Sequence, residues 1–176
     1  MKTNYFILLL SIIAISCNNQ QRVEGDEKKI SVNKKSKKFE ETPESTYINN
    51  QISRLEFQVE AFKIGSEKVA NPDLKKYLHD EIDNLKELLS QTKSLAITNN
   101  YEIKPISKEL QDNLYKLVIG DVKGFDNVFI LYYKDFLSKS LDDIAVHKFD
   151  DLSVNQLKDK YGNLLYNHKL YFDVQK

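Results

Sequence analysis

Asn71–Thr98 reads NPDLKKYLHDEIDNLKELLSQTKSLAIT, and its period decides the fold. Asparagine before proline is a helix cap followed by the one residue whose missing N–H costs nothing in the first turn. Leu74, Leu78, Ile82, Leu85, Leu89 and Thr92 then recur at steps of four and three, with Leu88, Leu95 and Ala96 widening the stripe. Those steps keep side chains on one face of a helix, whereas a half-buried strand would alternate. The stretch predicts a long helix that buries one face.

The same signals extend in both directions. Upstream, Thr42-Pro43 is a second cap, and Ile48, Ile52, Leu55, Val59, Phe62 and Val69 form a stripe with Ser66 as its gap. This heptad-like spacing suits near-parallel packing of helices in a bundle. Downstream, Asn99-Asn100 and Pro105 mark Asn99–Ile106 as a loop. Ser107 caps a short helix with Leu110, Leu114, Leu117 and Val118, and Gly120 and Gly124 bracket a turn. A fourth helix is expected from about Phe125 to Lys148, with Phe125, Val128, Phe129, Tyr132, Phe136 and Ile144 on its stripe and Leu137 and Leu141 beside it. Its uninterrupted apolar run, Val128–Tyr133, is too short to span a bilayer and is expected to be the most buried turn. A fifth helix opens with the capping box Ser153–Gln156 and lines up Leu157, Tyr161, Leu164, His168 and Tyr171. Only five Gly and three Pro occur, with no Asn-Gly or Asp-Gly hairpin pair. The expectation is an all-α domain over residues 45–176: an antiparallel up-down four-helix bundle with one extra short helix.

What precedes the domain is different in kind. Met1–Cys17 reads MKTNYFILLLSIIAISC: a lysine, an apolar run from Tyr5 to Ile15 broken only by Ser11, then Ser16 and Cys17. A positive start, a run too short to span a bilayer and a small residue at the end describe a secretory signal. Ala14-Ile15-Ser16-Cys17 resembles the lipobox of bacterial lipoproteins, which implies a signal peptide over residues 1–16 and diacylglycerol on Cys17. Cys17 is the only cysteine in 176 residues, and lipidation accounts for an unpaired cysteine in an exported chain. Residues 17–44 then form the lipidated cysteine and a tether. Asn18–Glu44 has few apolar residues beside seven basic and six acidic ones, so it is expected to stay disordered. Its lysines, Lys28 to Lys38, can touch anionic headgroups. Asn18 after Cys17 lacks the Asp that favours inner-membrane retention, so the outer membrane is the expected location.

Little in the chain points to catalysis. Lys and Arg balance Asp and Glu at 26 each, which with export argues against a nucleic-acid partner. No His-Glu-x-x-His, Gly-rich phosphate loop or Gly-x-Ser-x-Gly elbow is present. A di-metal bundle would need Glu-x-x-His on two helices, and the residues three before His79, His147 and His168 are Lys76, Ile144 and Leu165. The remaining metal candidates are the pairs His79/Asp83 and Asp143/His147, spaced four apart, and His168. Each such pair is more often an ion pair on a solvated helix face, and a histidine on an apolar face, as His168 is, is more often a core-edge histidine bonded to a carbonyl or a Tyr hydroxyl.

In the order of its parts the domain resembles an exported bacterial family, domain of unknown function 4142. The resemblance covers roughly residues 50–175. It rests on the step Ala70-Asn71-Pro72-Asp73-Leu74-Lys75, Asn-x-Leu-Lys character near Asp83–Lys86, the pair Phe125-Asp126 and a closing helix with His168. It implies a ferritin-like bundle with no established activity. The chain departs from the family's two Asp-His pairs: His79-Asp80 is reversed and about one residue out, and Asp135-Phe136 lacks the histidine. The sequence therefore predicts a non-enzymatic lipoprotein of the periplasm or cell surface, without cofactor, that binds an envelope protein or itself. The alternative is a ferritin-like protein holding a divalent metal or small ligand in a stress-related role.

Overall fold

The computed structural model describes residues 39, 41–121 and 123–175. The signal segment, Cys17 and most of the tether lie outside the described residues. Five helices follow in order: α1 (Pro43–Lys68), α2 (Pro72–Thr98), α3 (Lys108–Ile119), α4 (Phe125–Val146) and α5 (Leu152–Asp173). No strand occurs among the described residues, so the domain is all-helical.

Local chemistry starts the helices. Thr42 and Ser45 cap α1 reciprocally, each side-chain oxygen accepting the other's backbone N–H at 3.1 and 2.8 Å. Asn71 Oδ1 accepts from the N–H groups of Asp73 and Leu74 at the head of α2, and Ser107 caps α3. The cap of α5 differs from the expected Ser153–Gln156 box. Asp151 does the work, taking the N–H groups of Ser153 and Val154 at 2.7 and 3.3 Å. A carboxylate also answers the positive end of the helix dipole, which a serine does not.

Cross-helix contacts fix the directions. Gln51 meets Thr92, and Gly65 approaches Leu78, so α1 and α2 run antiparallel. Arg54 pairs with Asp143, and Phe62 packs on Phe129, so α4 also opposes α1. Between α4 and α5 the contacts run from Phe129–Phe172 to His147–Lys158, again antiparallel. α3 packs along α1 in the same sense: Asn49 near the foot of α1 holds the backbone of Glu102 and Lys104, and Lys68 at its head reaches the end of α3.

The head of the domain explains two of the sequence motifs. The Asp126 carboxylate accepts the backbone N–H groups of Ala70 and Asn71, each at 2.8 Å. Lys68 donates to the carbonyls of Leu117 and Gly120 at 3.0 and 3.2 Å, and also to that of Val118, while its ammonium lies 5.4 Å from the Phe125 ring centre. The Ala70-Asn71-Pro72 step and the Phe125-Asp126 pair thus bind each other. An acidic group serves a helix N-terminus and a basic group serves a C-terminus, as the dipoles favour.

α1 is the central helix. Its buried residues include Ile48, Ile52, Leu55, Phe57, Val59, Ala61 and Phe62, which point in several directions. Gly65 lets its neighbours close in: a Cβ there would stand 2.7 Å from Leu78 Cδ1 and 2.9 Å from the Phe129 ring. α4 is peripheral, which overturns the expected burial of Val128–Tyr133. Val128 is 59% and Leu131 69% exposed, while Phe129, Ile130 and Tyr133 are buried. Successive residues turn by 100°, so six apolar residues in a row cannot all face inward from an outer helix. Val118 on α3 is exposed for the same reason.

Candidate functional site

Polar side chains from four helices meet inside the core. Gln58 of α1 sits at the heptad positions shared by Gln51, Leu55 and Phe62 and is fully buried. Its amide lies 2.6 Å from the Tyr133 hydroxyl of α4 and 3.1 Å from the Tyr161 hydroxyl of α5. Tyr133 Oη is 2.9 Å from Nδ1 of His168, which is 1% exposed on α5. His168 Nε2 lies 3.4 Å from Oε2 of Glu81 on α2, where the carboxylate reaches the surface and also takes Asn84 at 3.1 Å. The links form one chain across the domain: Glu81, His168, Tyr133, Gln58, Tyr161. Phe62 covers it, its ring centre 4.9 Å from that of Tyr133 and 5.3 Å from that of His168. A buried polar group left unpaired costs about 1–3 kcal/mol; in this chain each side chain has a partner.

The electrostatics follow from burial and these bonds. Desolvation pushes the Tyr133 hydroxyl well above its usual range, with the Gln58 bond pulling back. Tyr161 is also driven up by burial, against Arg54 and a bond from Ser140. Both are neutral hydroxyls that donate and accept. The His168 bond holds the Glu81 carboxyl below its usual range, against burial and with help from Asn84. A carboxyl depressed by folding stabilises above its unfolded value of 4.5 and loses that contribution as pH falls through the folded value. Wild type should therefore exceed Glu81→Gln by no more than about 1 kcal/mol in denaturant unfolding at neutral pH, because the carboxylate is partly exposed and water screens its bond to His168. The gap should close below pH 4.5; a gap constant with pH would contradict this assignment.

An open cleft of about 420 Å³ lies between α1, α3 and α4. Arg54, Glu109, Asn113, Tyr132, Lys139 and Ser140 are among its lining residues. It exists because α3 packs along α1 rather than α4. Both signs of charge line it: Arg54 pairs with Asp143 at 2.6 Å and Lys139 with Asp135 at 2.6 Å. Burial, with Asp135 and Glu109 adding to it, pushes the Tyr132 hydroxyl up to about 12.

The metal candidates are not brought together. His79 is exposed on α2 and Asp83 pairs with Lys86 at 3.0 Å. Asp143 is engaged by Arg54, with His147 Nε2 at 3.6 Å from its other oxygen. His168 stands apart from both pairs, bonded to a Tyr hydroxyl and facing one carboxylate. A two-metal bundle centre takes Glu from two helices and Glu-x-x-His from the others. Here the core carries Gln58, Tyr133 and Tyr161, and only Glu81 and His168 are ligands of the required types. These residues do not fit that centre, and no group of three or more His, Cys, Asp or Glu is placed to hold a metal among the described residues.

Sequence reading named His168 but missed Glu81, Gln58, Tyr133 and Tyr161. Gln58 carried a signal, because it occupies a heptad position between Leu55 and Phe62. A scan of protein-family models, a search of curated proteins and a search of solved structures each find no match to the chain.

Proposed function

We propose that this chain is a lipoprotein of the cell envelope, anchored through Cys17 and seated in the outer rather than the inner membrane, whose helical domain binds and does not catalyse. On this reading α1, α2, α4 and α5 are an antiparallel ferritin-like bundle, as in domain of unknown function 4142, and α3 is the added helix. The partner is an envelope protein or a second copy of the chain, and it inserts a polar segment into the α1/α3/α4 cleft. The observation that carries this reading is the cleft itself. It offers hydroxyl and amide groups, charges of both signs and the Tyr132 ring, which together suit a polar polypeptide segment better than an apolar ligand. An alternative reading, metal or small-ligand storage with a role in stress, draws on Glu81 and His168 facing each other. It requires that the chain carry stoichiometric metal and that His168→Ala lose it.

The test is site-specific photo-cross-linking in whole cells. A photoreactive residue at Asn113, in the cleft, should give a discrete adduct, and one at Asn84, exposed on α2, should not. No adduct at position 113, or equal adducts at both, would contradict the binding site.

A further inference from the structure

Five segments meet at the foot of the domain: the approach to α1, the end of α2, the loop before α3, the end of α4 and the start of α5. Specific contacts tie them there. Glu41 pairs with Lys104 at 2.8 Å, and Asn49 donates to the Glu102 carbonyl at 2.8 Å. The Tyr47 and Phe149 ring centres are 4.9 Å apart, and the Asn99 amide lies 3.4 Å from the Asp151 carboxylate. Each segment also presents one large apolar side chain to solvent: Phe39, Ile97, Ile103, Val146 and Leu152. None of the five closes the core at this end; Tyr47, Ile48, Ile52, Ala96 and Val154 do that.

Single apolar side chains scattered over a surface need no explanation. These five share one end, and it is the end from which the chain runs back to Cys17. Residues 18–38 separate Cys17 from Phe39, and a flexible chain of that length spans about 25 Å root-mean-square. α1 has 26 residues and is about 39 Å long. A domain held at a bilayer through Cys17 therefore has its foot within reach of the surface, while its head lies a helix length beyond. Residues 18–38 carry seven basic and three acidic side chains, an excess that draws the foot toward anionic headgroups. At the foot itself Lys104 is taken by Glu41, and Asp151 by the N–H groups that start α5. What the foot offers lipid is therefore mainly apolar surface, with Glu102, Lys148 and Asp150 exposed beside it and able to stay in water.

We propose that the foot is a membrane-contact face, at which Phe39, Ile97, Ile103, Val146 and Leu152 dip into the headgroup region of the bilayer that holds Cys17 and seat the bundle end-on. The contact is with the surface alone: among the described residues no helix is long and apolar enough to cross a membrane. Apolar side chains at the interface and basic residues beside them are the two forces that hold proteins on a bilayer surface. End-on seating leaves the α1/α3/α4 cleft, on the side of the bundle, open to a partner. The proposal rests on the lipid-anchor reading above.

The experiment is photo-cross-linking of the full chain in whole bacterial cells grown on radioactive phosphate, with the photoreactive residue at Leu152 or at Leu131. These positions are 70% and 69% exposed, so accessibility alone does not separate them. Leu152 is at the foot and Leu131 is on the outer face of α4. Diacylglycerol on Cys17 contains no phosphate, so a labelled adduct reports membrane lipid and not the anchor. Position 152 should give a phosphate-labelled lipid adduct, and position 131 should not. Ile97→Ser combined with Val146→Ser should lower the adduct at 152 about tenfold, because two apolar side chains no longer leave water. Both sites are exposed, so the fold is kept, which circular dichroism checks. No lipid adduct at 152, equal adducts at both positions, or an undiminished adduct in the folded double variant would overturn the face. A protein adduct at 152 in place of lipid would overturn it too and make the foot a protein interface. Incorporation of a palmitate analogue without a lipid adduct at 152 would sink the face and leave the anchor standing. A lipid adduct at 152 without that incorporation would count against the anchor alone.

Discussion

Phe62→Ala is expected to lower the unfolding free energy by about 3–5 kcal/mol in chemical denaturation. The side chain is fully buried on the central helix. Its ring packs against Phe129 and Tyr133 of α4 and against His168 and Phe172 of α5. Truncation removes the transfer energy of a phenyl ring and leaves a cavity that rigid neighbours fill poorly. The same cavity opens the apolar cover over Tyr133 and His168, so part of the cost is electrostatic. Against a total of about 5–15 kcal/mol for a domain, the loss brings the protein close to unfolding. Tyr115→Ala, on the exposed face of α3, should change stability by no more than about 0.5 kcal/mol. A cost below about 1 kcal/mol at Phe62 would mean that α1 is not the centre of the core.

Helix starts were legible where one dipeptide settles the backbone, as at Thr42-Pro43 and Asn71-Pro72. The start of α5 was not, because Asp150-Asp151 and Ser153 compete as caps within four residues and only the folded geometry picks Asp151. Period identified the buried face of α2, but on α5 it placed Leu164 and Tyr171, which are half-buried, on the stripe where Leu165 and Phe172 are fully buried beside Leu157, Tyr161 and His168; nor does a stripe say how many neighbours a helix has. The polar Gln51 and Gln58 of α1 are buried because α1 is surrounded, and Val128 and Leu131 of α4 are exposed because α4 is not. The buried hydrogen-bond chain was the least legible part. Its bonds join residues 35, 75, 87 and 103 positions apart, and nothing local in a single sequence pairs Tyr133 with His168 or Glu81 with either. The motifs at Ala70–Lys75 and Phe125-Asp126 were visible as motifs, yet only the structure gives their reason, a carboxylate bound to two backbone N–H groups.

The second large effect concerns the membrane. Cys17 is the chain's only thiol, so a thioether-linked lipid has one place to form. Two or three acyl chains hold a protein at a bilayer for good, since each buried methylene adds about 0.8 kcal/mol. The sharpest single test of a lipid-anchored envelope domain is metabolic labelling of the full chain in bacterial cells with a palmitate analogue, wild type beside Cys17→Ala. The account predicts label and membrane fractionation for wild type and complete loss of label for Cys17→Ala. Equal labelling of the two, or none in wild type, would contradict the anchor.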